Sequence, residues 1–199
     1  MENKRNRLYP LEAALLLGLC FALLTGVAAR SQQRALAEKV VRLHVLAVSD
    51  DAEDQAVKLR VRDGVLSTLT PRLAGASDAA AARDVIEEAL PELRALAEEL
   101  SGGRAEAVLS RESYPTREYD GFALPAGEYT SLRIVLGEGK GHNWWCVVYP
   151  PLCTASVSEA AETGVLSGED VRLITEDGTG YVLRFRLMEW WNSLLGAGK

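Results

Sequence analysis

The chain has 199 residues, 22 basic and 28 acidic, for a net charge of −6. An acidic balance of this kind excludes the basic stripe that nucleic acid or an anionic membrane surface would require. The length is that of one domain with a core of its own.

Residues 1–10 carry Lys4, Arg5 and Arg7, and residues 11–29 are then almost wholly apolar, with Glu12 near the start. Such a run suffices for a ~30 Å hydrocarbon core, which takes ~20 helical residues. Positive charge ahead of it keeps the N-terminus inside, so everything after Arg30 is exported. The same run has the plan of a signal peptide: an apolar stretch at 13–24, then small residues, with Val27 and Ala29 at the spacing a signal peptidase prefers. Cleaved signal and retained anchor both stand. Cys20 follows Leu19, where a lipoprotein signal has a small residue, and reads as an apolar filler. The expected organisation is a signal peptide or membrane anchor at 1–29, a linker at 30–39 and a single exported domain at 40–199. Residues 1–29 hold three basic and two acidic side chains, so the exported part carries about −7.

Along the exported part the apolar period switches between 2 and 3.6, which predicts an α+β fold: a mixed β-sheet with two or three helices packed on it. Val41, Leu43, Val45 and Ala47 alternate with Arg42 and His44 in a strand expected at the centre of the sheet. Ser49 and the acidic run Asp50, Asp51, Glu53 and Asp54 then mark a helix start, where carboxylates meet exposed amides and the positive end of the macrodipole. That helix is expected to run to Thr70 and to stop at Pro71. Residues 78–100 give the cleanest amphipathic pattern, with Pro91 predicting a kink or a new helix start, and Gly102 and Gly103 close it. A strand at 105–112, a turn at 124–127 and a strand at 129–136 follow. Beyond the double proline, a short helix is expected within 157–168, a hairpin turn at Asp177 and Gly178, a strand at 182–188 and a terminal helix at 189–195.

The densest signal is residues 137–153, reading GEGKGHNWWCVVYPPLC. Gly137, Gly139 and Gly141 alternate with Glu138, Lys140 and His142, and an apolar, β-prone run from Trp144 to Tyr149 ends at Pro150 and Pro151. One reading is a β-turn region joining the strand at 132–136 to that at 144–149. The other is a binding site, in which glycine amides with Lys140, His142 and Asn143 meet an anion or a partner's main chain. A phosphate loop is disfavoured, because Gly141 follows Lys140 where that motif has Ser or Thr. Cys146 and Cys153 suit either an extracytoplasmic disulfide or two buried thiols. No zinc-finger spacing accompanies them, and no metal or other cofactor is expected.

Catalytic groupings are thin. His142 and Cys146 would touch only on a helix, which the glycines oppose. Ser49, His44 and Asp50 sit at a strand end without triad geometry. Acid pairs such as Glu128 with Glu138 are what any acidic chain provides. The expectation is a protein that is not an enzyme.

The string Arg42, Leu43, His44, Val45, Leu46, Ala47, with Ser49, Asp50, Glu53, Asp54, Gln55, Lys58, Val61, Arg62 and Asp63, resembles the N-terminal signature of the stage II sporulation protein R family. Residues 124–129, 132–134 and 137–153 resemble it too, so the likeness spans about 41–153. Val48 departs from it, standing where the pattern has Asn or a similar polar residue. The resemblance implies a forespore signalling protein exported into the space between forespore and mother-cell membranes. There it would activate a membrane-embedded aspartic protease that processes the sigma-E precursor. The surface expected to meet that partner is the glycine loop, with Lys140, His142, Asn143, Trp144 and Trp145. The rival reading is an exported cell-wall hydrolase using Glu128 and Glu138.

Overall fold

A computed structural model describes residues 10–153, 157, 162 and 164–175. It resolves into two units, residues 1–35 and 36–199.

In the first unit, helix α1 (Pro10–Glu38) begins and runs on past the unit boundary at residue 35. Among the described residues its large apolar side chains from Leu15 to Val27 are uncovered: Leu17 is 72 %, Phe21 71 % and Leu24 71 % exposed. A long helix that is apolar and uncovered suits a bilayer or an export channel rather than water. Residues 30–38, expected as a linker, are helical.

The second unit is an α+β domain. Its four-stranded sheet has the order β2 (Ala105–Tyr114), β5 (Gly127–Leu136), β1 (Val41–Leu46), β6 (Asn143–Tyr149). Strand β1 is parallel to β5 and antiparallel to β6, and β2 is antiparallel to β5. Central placement of β1 follows from its side chains, since both faces are covered by protein. A separate hairpin, β3 (Arg117–Tyr119) with β4 (Phe122–Leu124), makes a two-stranded sheet in a stretch where the sequence pattern predicts no strand.

Helices α2 (Ala52–Leu73) and α3 (Ala79–Ser101) cover one face of the sheet. Their stripes, Val61, Val65 and Leu69 on α2 and Ala82, Ile86, Leu93 and Ala97 on α3, pack on Val41, Leu43, Val45, Leu132 and Ile134, all with at most 1 % exposure. Helix α3 starts where its sequence says, with the Asp78 carboxylate accepting the Ala80 and Ala81 amides at 2.9 Å each, and ends at Gly102 with φ +64°. Pro91 lies inside this one helix without starting a new one. Pro71 likewise does not stop α2, which continues to Leu73. The missing Pro71 N–H falls within the final turn, where few further bonds depend on it.

A second, smaller core lies on the opposite sheet face, formed by Leu36, Val40, Tyr114, Leu124, Tyr129, Val147 and Leu152 with Leu166 and Ile174. Helix α4 (Gly168–Thr175) contributes Ile174 to it, and its Asp170 accepts from Lys39 Nζ at 2.5 Å. The helix expected within 157–168 is largely outside the described residues, and the turn at Asp177 and Gly178, the strand at 182–188 and the helix at 189–195 lie outside them altogether.

Candidate functional site

The glycine block is a crossing, not a hairpin. Strands β5 and β6 flank β1, so residues 137–142 must pass over the end of β1. The passage is tight. Gly141 N–H donates to Ala47 O at 2.9 Å, and a Cβ on Gly141 would stand 2.1 Å from Ser49 O. Gly139 has φ +62°, where an L side chain is strained, and a Cβ there would meet Val135 at 2.7 Å. The amides of Gly137, Gly139 and Gly141 bond to Arg104 O, Leu136 O and Ala47 O. These donors serve the crossing, so the reading in which they meet an anion finds none of them free. The turn joining neighbouring strands is corrected as well, because β1 intervenes.

Under the crossing lies the start of α2, and here the acidic cluster acts differently from a helix cap. Asp51 holds the N-cap position without a side-chain bond. Asp50 instead accepts the His142 N–H at 2.6 Å and faces His142 Nδ1. Those His142 hydrogen bonds, the backbone one foremost, hold the Asp50 carboxyl below its ordinary value. Ser49 Oγ donates to Asp54 at 2.6 Å, and Gln55 Nε2 donates to Ser49 O at 2.8 Å. Lys58, 5 % exposed, donates to Gln55 Oε1 at 2.6 Å and to His142 O at 3.0 Å. Burial pushes the Lys58 ammonium below its ordinary range. Two stretches about ninety positions apart in sequence thus form one hydrogen-bonded unit.

Of the side chains expected at a partner surface, four share this end of the sheet. Lys140 pairs with Glu138, both largely exposed. His142 and Asn143 are exposed. Trp144 is 36 % exposed, with the Arg62 guanidinium 4.4 Å from its ring centre. Trp144, Val48 and Leu59 are the exposed large hydrophobics found outside α1 among the described residues. Trp145 parts from this group. Successive strand residues face opposite ways, and Trp145 turns to the other face against Arg117, at 3.7 Å, and His44, with ring centres 5.6 Å apart.

That other face carries polar residues that sequence reasoning missed. Arg42 and His44 alternate on β1, and Arg133 is the register partner of His44 on β5. Glu112 lies 3.2 Å from His44 Nδ1 and accepts the Tyr114 hydroxyl at 3.0 Å. Burial alone would raise the Glu112 carboxyl, but hydrogen bonds from His44, Ser131 and Tyr114 together hold it at about 2. An ionised carboxylate only accepts, so His44 Nδ1 carries the proton. The signal was present: two ionisable residues on one side of an otherwise apolar central strand.

The candidate catalytic groups are dispersed. Ser49 bonds to Asp54, His44 to Glu112 and Asp50 to His142. Glu128 lies near the start of β5 and Glu138 in the crossing beyond its last residue, Leu136, so at ~3.3 Å per residue most of the strand's length separates them, well beyond the ~5–9.5 Å of a glycosidase pair. Cys146 and Cys153 are joined in a disulfide with Cα atoms 5.7 Å apart. The chain reverses through a cis Tyr149–Pro150 peptide, and Cys153 N–H returns to Val147 O at 3.1 Å.

Residues 37–159, which include β1, α2, the crossing and the disulfide, match the model of the family described as stage II sporulation protein R. The chain belongs to that family. The Stage II sporulation protein R of Bacillus subtilis (strain 168) is 31 % identical over 85 % of this chain and 88 % of its own length. No solved structure matches. Membership carries a sporulation role, and the uncovered apolar helix α1 agrees with export or anchoring. The two segments in which the sequence resemblance is densest, the β1–α2 run and the glycine and tryptophan block, meet at the crossing.

Proposed function

We propose that this protein is a signalling protein of sporulation, exported into the space between forespore and mother-cell membranes, which activates a membrane-embedded aspartic protease that processes the sigma-E precursor. It acts by binding and not by catalysis. The observation that carries the reading is the joining of residues 49–62 to residues 137–144 in one surface, with Trp144 exposed above Arg62. A tryptophan 36 % exposed on a multiply hydrogen-bonded base is the kind of apolar anchor that dominates protein interfaces, and Lys140, His142 and Asn143 give polar register around it. The crossing holds that anchor in place before the partner arrives, which lowers the ordering cost of association.

The test is reconstitution in a non-sporulating host that makes this chain, the matching protease and the sigma-E precursor. Precursor cleavage that requires the chain and its export segment supports the reading. Absence of cleavage despite confirmed export and folding overturns it.

A further inference from the structure

The polar cluster on the second sheet face holds more positive charge than its own carboxylate answers. Arg42 is 0 % exposed, yet its guanidinium makes one hydrogen bond, from Nη2 to the Tyr119 hydroxyl. Among the described residues nothing accepts from Arg42 Nε or Nη1. Its surroundings are three tyrosine rings, with centres at 3.8 Å for Tyr114, 5.0 Å for Tyr129 and 5.8 Å for Tyr119. Ring faces attract a cation and receive its N–H groups only weakly, and they supply no counter-charge. A buried guanidinium without an anion is costly.

Two neighbours repeat the pattern. Arg117 Nε and Arg133 Nε are buried atoms without a hydrogen-bond partner. All belong to one cluster: Tyr114 and Trp145 rings lie between them, with Arg117 on Trp145 at 3.7 Å and Trp145 6.2 Å from Tyr114. Among the described residues the carboxylate in contact with this cluster is Glu112, which is taken up by His44 at 3.2 Å and Arg133 at 3.6 Å. The Arg133 side chain is 41 % exposed, so the rim reaches solvent.

We propose that this cluster is a carboxylate-binding site, in which a peptide carboxylate accepts from the unpartnered N–H groups of Arg42, with Arg117 and Arg133 at the rim. A planar carboxylate suits the fork of a guanidinium, which it can meet through two parallel hydrogen bonds. The hairpin β3–β4 carries Arg117 and Tyr119, so it forms one wall of the site. This surface is on the other sheet face from the crossing and does not depend on the role given to Trp144.

The experiment uses the full chain in detergent micelles with 15N-labelled arginine. The Arg42 Nε–H signal is identified by its contacts to Tyr114 ring protons and by its loss in Arg42→Lys. N-acetylglutamate α-methylamide, which carries one carboxylate, is titrated against N-acetylglutamine α-methylamide, which carries none, at matched ionic strength. The Arg42 signal is expected to move saturably with the acid and not with the amide, and Arg133→Gln to raise the half-saturating concentration by about threefold. An Arg42 signal that the acid leaves unmoved overturns the proposal.

Discussion

The Asp50 carboxylate accepts the backbone N–H of His142 at 2.6 Å, fastening the start of α2 to the crossing over 92 positions of sequence. The contact makes the acidic run at the helix start a clasp for the glycine loop. Asp50→Asn therefore releases the loop more than it destabilises the domain. Hydrogen exchange of the His142 amide is expected to accelerate while the thermal midpoint barely moves. Because the Asp50 carboxyl is held below its ordinary 3.8, the clasp is complete above that pH and is lost as pH falls beneath it.

Gly141→Ala places a Cβ where Ser49 O already stands, 2.1 Å away. Backbone must shift, and the expected loss is about 3 kcal/mol. Gly103→Ala, with nothing within 4 Å of its Cβ, is expected to stay within about 0.5 kcal/mol. Urea midpoints of the two variants decide the point.

Glu112 titrates at about 2 against an ordinary 4.5. A folded-state value depressed in this way contributes stability that is full above pH 4.5 and is lost between that value and about 2. Glu112→Gln abolishes this part of the acid dependence and leaves a buried His44 Nδ1–H facing an amide. Unfolding followed from pH 7 to pH 2 should show the wild type and variant curves converging in acid.

The disulfide between Cys146 and Cys153 closes a loop with a sequence separation of 7. Replacing both with serine is expected to cost about 2–3 kcal/mol, since so short a loop constrains the unfolded chain only modestly. Differential scanning of the wild type with and without reductant, beside the double variant, checks the value.

Much of this fold was legible from period and punctuation. The alternation in 41–46 and the stripes of α2 and α3 announced a central strand under two helices, and Asp78 and Gly102 marked both ends of α3 because caps act within a turn of their own position. What escaped was set by distance. No local pattern tells that β5 and β6 straddle β1, so the glycines read as a turn when they serve a crossing. The hairpin β3–β4 has strands of three residues, too short for alternation to register. Within the site, Lys140, His142, Asn143 and Trp144 lie together because they are near one another in sequence. The pairing of Asp50 with His142, the departure of Trp145 to the other face and the assembly around Arg42 depend on register, which only the folded sheet fixes.

The most direct test of the account is precursor cleavage in the reconstituted host by the full chain carrying Lys140→Ala, His142→Ala and Trp144→Ala together. Export is confirmed by fractionation, and folding by an unchanged thermal midpoint of the purified variant. Removing a tryptophan anchor typically costs about 2 kcal/mol or more of binding, so cleavage should fall at least tenfold while Arg94→Ala, on the exposed face of α3, leaves it unchanged. Cleavage at the wild-type level by the folded, exported triple variant would contradict the claim that this surface meets the protease.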